Sequence, residues 1–110
     1  MMKQFVDTIE AIVPVSPAEA TANARAPYAT YVLRETPIRT KEGIAGHEGT
    51  LTLSIYCATY EMADAIAERV IAAVDTRTLD GRKYYYADID SGDYPDVGLV
   101  SKEILFNTLE

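Results

Sequence analysis

The sequence predicts an α+β domain in which a largely antiparallel four-stranded sheet carries two helices packed on one face. Three observations lead there. Leu51, Leu53, Ile55 and Cys57 alternate with Thr52, Ser54 and Tyr56, the period-two signature of a half-buried strand. Ala63, Ile66, Ala67, Val70, Ile71 and Val74 form one helical stripe, while Asp64, Glu68 and Arg69 face away. The order of strand pair, helix, strand pair favours segregated helices on an antiparallel sheet. With 110 residues and no internal repeat, the chain 1–110 reads as one domain able to bury a core without disulfide or metal.

Taken in order, Phe5, Ile9, Ile12 and Val13 fall at helical spacing and Pro14 ends the pattern, so residues 3–13 read as a short amphipathic helix. Residues 14–27 hold three prolines and small side chains and read mostly as loop, with a brief helical turn around 18–25. A first strand spans 28–36, rich in aromatic and β-branched residues and ended by Pro37. Residues 38–49, charged and bearing Gly43, Gly46 and Gly49, read as a loop too long for a tight hairpin. After the strand around 51–57, Thr59 is placed to cap the second helix, with Glu61 in its first turn. Asp80-Gly81 signals a turn, and strands at 83–89 and 99–109 flank a loop at 90–98. Tyr84, Tyr85 and Tyr86 are consecutive, so at least one points away from the helical side. An exposed tyrosine face suits either an interface or edge packing with hydroxyls in water.

Ten Lys+Arg against 17 Asp+Glu give a net charge of −7, which argues against gripping nucleic acid or anionic lipid. Cys57 is the single cysteine, so no intrachain disulfide and no cysteine-based zinc site can form, and its place on an apolar strand face reads as core. The acidic N-terminal stretch is not a signal peptide and no run reaches membrane-spanning length, so a soluble chain in a reducing cytoplasm is expected.

Rival chemistry concentrates in 88–96, where Asp88, Asp90, Asp93 and Asp96 cluster. Counted from Asp88, the EF-hand pattern fails: Gly92, Asp93 and Leu99 stand at the fifth, sixth and twelfth places. Asp88 and Asp90 share one strand face, which leaves open a weak divalent site or a carboxylate pair for metal-assisted hydrolysis, but a solvated acidic turn is favoured. His47 has no second histidine and no relay partner in the sequence, and the glycines at 43, 46 and 49 do not form a phosphate-cradling motif. Arg34, Arg39 and Lys41 interleave with Glu35, Glu42 and Glu48, which reads as a mixed solvated surface.

The runs Pro27-Tyr28-Ala29-Thr30-Tyr31-Val32-Leu33, Gly49-Thr50-Leu51-Thr52-Leu53-Ser54-Ile55-Tyr56 and Thr59-Tyr60-Glu61-Met62-Ala63-Asp64-Ala65-Ile66-Ala67 occur in that order, and an acidic turn from Asp93 to Gly98 precedes a last strand near Leu105-Phe106. This pattern resembles the small tail-completion, or tail-terminator, proteins of long-tailed bacteriophages and prophages. The resemblance implies a structural subunit with no enzyme activity and no cofactor. It implies a ring, usually hexameric, that caps the tail tube protein and joins it to the head-tail connector while double-stranded DNA passes through without specific binding. The expected location is the virion tail or neck, and the bacterial host cytoplasm during assembly. Candidate subunit or partner contacts are Arg39, Lys41, Glu42, His47 and Glu48 in the 38–49 loop, Tyr56 on the free sheet face, and Asp93, Tyr94 and Asp96 in the 90–98 loop. Two other readings stand beside it: a ferredoxin-like regulatory module, and a divalent-metal-dependent hydrolase using Asp88 and Asp90.

Overall fold

The computed structural model describes residues 2–17 and 26–110. Its elements are α1 (Lys3–Glu10), β1 (Val15–Pro17), β2 (Tyr28–Thr40), β3 (Gly43–Cys57), α2 (Tyr60–Val74), β4 (Thr78–Leu79), β5 (Arg82–Tyr94), a single 3-10 turn (Pro95–Val97) and β6 (Leu99–Leu109). The expected helical turn around 18–25 lies outside the described residues.

The sheet has six strands in the order β1-β2-β3-β6-β5-β4, and it is mixed, because β1 runs parallel to β2. The expected four-stranded, largely antiparallel sheet is therefore corrected. The four long strands are antiparallel, as their order in the chain suggests, but two short edge strands were missed. At three and two residues, β1 and β4 are too short to display a period of two, and β1 ends on a proline. The α+β class and the placing of both helices over one face hold, with α1 and α2 sharing one core.

Two expected loops are strands. β2 and β3 continue past Pro37 and the three glycines to a tight turn at Lys41 and Glu42, with a bulge between Ile38 and Arg39. Pro37 and the glycines read as breakers, yet beyond β1 no strand among the described residues pairs with the outer side of β2, so a missing proline N–H costs no ladder bond there. β5 likewise runs through the acidic stretch to Tyr94, with a bulge between Tyr86 and Asp88. The 3-10 turn follows and closes on Gly98 in the left-handed region at φ 67°.

α1 is shorter than expected: after Glu10 the chain turns, and the N–H groups of Ile12 and Val13 both donate to the Ile9 carbonyl at 2.8 Å. Met2 at the start of α1 supplies no capping side chain. The cap comes from far away in sequence, since Asp80 accepts from the N–H of Gln4 (2.8 Å) and of Phe5 (3.0 Å), while the Gln4 side chain accepts from the Asp80 N–H at 2.6 Å. Asp80 sits at φ 58°, a conformation that aspartate tolerates better than most residues. Asp80→Ala loses both the cap and that tolerance and is expected to destabilise the domain by about 1–2 kcal/mol, read as a lower urea midpoint at unchanged slope.

α2 begins as expected, with the Thr59 hydroxyl accepting from the Met62 N–H at 3.2 Å. It buries Ala63, Ile66, Ala67, Val70 and Val74 against Leu51, Leu53, Ile55, Cys57, Ile104 and Phe106 of the central strands. Of the three consecutive tyrosines, Tyr84 is buried in this core, while Tyr85 pairs with Asn107 on the opposite face and is exposed. Cys57 is fully buried, and that burial pushes its thiol pKa up, as befits a core residue.

Candidate functional site: the open sheet face and the hairpin arm

Strand alternation places every second residue of β2, β3, β6 and β5 on the face that no helix among the described residues covers. The register builds this face in rows: Thr30, Ser54, Glu103 and Asp90 lie across it, followed by Val32, Thr52, Leu105 and Asp88, then Arg34, Thr50, Asn107 and Tyr85. At one end stands an aromatic group. Tyr28 stacks on Tyr56 with centroids 4.9 Å apart, and Tyr94 lies 6.0 Å beyond. Gly92 makes room there, since a Cβ would sit 2.7 Å from the Ser101 hydroxyl and 3.4 Å from the Tyr94 ring. Partial burial, followed by the neighbouring Tyr94 hydroxyl, pushes the Tyr56 pKa up.

In the middle of the face is a shallow cavity of about 140 Å³ lined by Thr52, Asp88, Ile89, Asp90, Glu103 and Leu105. Asp88 and Asp90 share a face, as alternation requires. Each turns one carboxylate oxygen to the next residue's backbone, Asp88 accepting from the Ile89 N–H at 2.8 Å and Asp90 from the Ser91 N–H at 3.0 Å. Those bonds occupy donors that a strand edge would otherwise leave open to a foreign strand. Among the described residues, no group of three or more His, Cys, Asp or Glu is arranged to hold a metal ion. No helix among them is long and apolar enough to cross a membrane.

The opposite end of the sheet is an arm. β6 backs β3 only from Glu48 to Cys57, and one further exchange of backbone hydrogen bonds joins His47 to Glu110. Among the described residues, residues 37–46 beyond that point are paired only within the hairpin, and the long axis reaches 52 Å against 25 and 23 Å across. The root of the arm is braced. Arg82 donates to both carboxylate oxygens of Glu35, at 2.9 and 3.3 Å, with its own side chain only 5% exposed, and Glu110 lies 3.8 Å away. His47 Nδ1 lies 2.9 Å from the Glu110 carboxylate. At Gly49 the strands run so close that a Cβ would collide with the Arg34 carbonyl oxygen, so glycine is required there for β2–β3 pairing.

The expected contact residues divide between these two ends. Arg39, Lys41 and Glu42 are exposed at the tip of the arm, with Ile44 beside them at 57% exposure. His47 is tied into the root, and Glu48 pairs with Leu109 at the base of the open face. Tyr56 and Tyr94 are brought together in the aromatic group. Asp93 pairs with Val100 beside them and Asp96 lies in the 3-10 turn, at the end of the sheet away from the tip. Sequence reasoning missed Tyr28, Gly92 and the bracing set of Glu35, Arg82 and Glu110. Glu35 and Arg82 are 47 residues apart, so no local spacing announces their pairing.

No protein-family model matches this sequence, and no curated protein matches it significantly. Among solved structures, it is similar to a chain in "Virion of native gene transfer agent (GTA) particle", with a TM-score of 0.71 at 13% identity over 94% of this chain and 81% of that one. At that identity the likeness is one of fold, shared with a chain of a virion particle.

Proposed function

We propose that this protein is a structural subunit of a phage-like virion, a tail terminator or tail-completion subunit. In this reading it caps the tail tube as a ring, most simply a hexamer, and offers its other side to the head-tail connector. The observation that carries the reading is the shared fold with a virion-particle chain across 94% of this sequence. The order of motifs from Pro27 to Phe106 supports the finer reading, because it resembles tail-completion proteins. Two further features fit a ring. A closed ring needs two different patches on each subunit, and the exposed arm tip and the open sheet face are different surfaces at separate places on the molecule. The net charge of −7 suits a bore through which DNA slides without being held. The protein acts by shape, with neither catalysis nor a cofactor.

Native mass spectrometry across concentration, followed by electron microscopy of any oligomer, tests the ring. A ring with a bore wide enough for duplex DNA supports the reading, and a closed dimer retires it. In a particle-producing host, loss of the gene is expected to give tails of uncontrolled length; tails of normal length would count against termination. The arm should matter to assembly but not to folding. Replacing residues 38–46 by a short turn that joins Pro37 to His47 removes residues outside the buried core, so the melting temperature is expected to move by no more than a few degrees while oligomer or tail attachment is lost. Circular dichroism and native mass spectrometry check the two halves of that statement.

A further inference from the structure

We propose that the arm tip of one copy docks on the open sheet face of the next, with Arg39 and Lys41 against Asp88, Asp90 and Glu103 and with Ile44 over Thr52 and Leu105. This inference rests on the ring reading and names its contact. The tip is unusual for this chain. It carries two cations and one anion, Glu42, on a molecule of net charge −7, and it leaves an isoleucine 57% exposed. The centre of the open face has the complementary character. Its cavity has half-buried Leu105 and Thr52 in its lining, with the carboxylates of Asp88, Asp90 and Glu103 around them. Among the described residues, no cation lies within ion-pairing distance of Asp88, Asp90 or Glu103. Lys102, although next in sequence to Glu103, points to the helical face, where it meets Asp64 at 2.9 Å and Ser91 at 2.8 Å.

The occupant must come from another copy. Thr52 and Gly43 lie on the same strand nine residues apart, which places the tip about 30 Å from the cavity at an extended rise. The arm cannot fold back to close that distance, because the Arg82–Glu35 pair and the His47–Glu110 exchange hold its root in the plane of the sheet. Strand addition at the β5 edge is disfavoured, since Asp88 and Asp90 already satisfy the Ile89 and Ser91 N–H groups. A contact of arm tip to sheet face joins unlike surfaces, which is the heterologous geometry that a ring requires.

Charge exchange and cross-linking test the contact in the full-length chain. Arg39→Glu with Lys41→Glu, and separately Asp88→Lys with Asp90→Lys, should each raise the concentration needed for assembly by about tenfold or more, because like charges then meet. The chain carrying all four substitutions should regain assembly. All four positions are exposed and the Asp88 and Asp90 bonds to Ile89 and Ser91 are open to water, so each variant should melt within a few degrees of the wild type. A chain with Ile44→Cys mixed with a chain carrying Thr52→Cys should form a disulfide between the two under mild oxidation, and neither chain alone should do so. Cys57 is fully buried and stays silent. Rings that persist in both charge-reversed pairs, with no mixed disulfide, overturn the contact while leaving the ring reading in place. Absence of oligomer and of cross-link for all chains at millimolar concentration overturns both.

Discussion

Phe5→Ala is expected to cost about 3–5 kcal/mol, a large share of the stability of a domain this size. Phe5 is fully buried and stacks on Tyr84 with centroids 5.4 Å apart and planes at 17°. Its edge meets Tyr31 at 5.8 Å. α1 has eight residues, too few to persist alone, and buries only Phe5 and Ile9. Removing the larger of those anchors leaves a void between β2 and β5 that Tyr84 and Tyr31 cannot fill without leaving their own packing. The Asp80 cap then has no helix to hold. Urea denaturation should show a much lower midpoint, and α1 amides should exchange fastest. A loss below about 1 kcal/mol would show that the aromatic group re-packs around the gap.

Arg82→Ala is expected to cost about 2–3 kcal/mol and to loosen the arm. Breaking a buried ion pair by removing one partner is typically worth more, but the Glu35 side chain is 24% exposed, so water recovers part of the loss. Burial works against the Arg82 charge, yet the hydrogen bond to Glu35 and the nearby Tyr84 hydroxyl outweigh it and lift the guanidinium pKa above its ordinary value. Arg82→Lys should recover only part of the stability, because an ammonium cannot make the two-pronged bond to Glu35. The informative readout is hydrogen exchange at residues 37–46. A merely structural arginine would leave these amides no more mobile than the rest of the sheet, whereas a brace would make them exchange disproportionately faster.

Local pattern was enough for much of the fold. The alternation from Leu51 to Cys57 and the stripe from Ala63 to Val74 each report a single element and the face it buries, so the core of β3 and α2, the Thr59 cap and the bounds of β6 were legible. Misreadings arose where residues with strong local habits are overruled by pairing. Pro37, Gly43, Gly46 and Gly49 look like loop, as do Ser91 and Gly92 among their aspartates, yet all lie in strands because a long antiparallel partner runs alongside and holds them in register. The candidate site was half legible. Arg39, Lys41, Glu42, Tyr56 and Tyr94 were singled out as exposed or open-face residues, but the 38–49 and 90–98 segments were taken for two similar loops. In the fold one is a braced arm and the other extends the sheet beside an aromatic group, at opposite ends of the molecule.

By itself, the sequence determined the α+β class, the two amphipathic helices, the inward faces of the central strands and the burial of Cys57. Those properties follow from periodicity and side-chain transfer energy within a few residues. Only the tertiary structure decided the six-strand order, the capping of α1 by Asp80, the Arg82–Glu35 brace and the meeting of Tyr28, Tyr56 and Tyr94. Each joins residues far apart in the chain, and no local propensity sets such a pairing. It is set by which strands lie side by side once the apolar faces of both helices are covered.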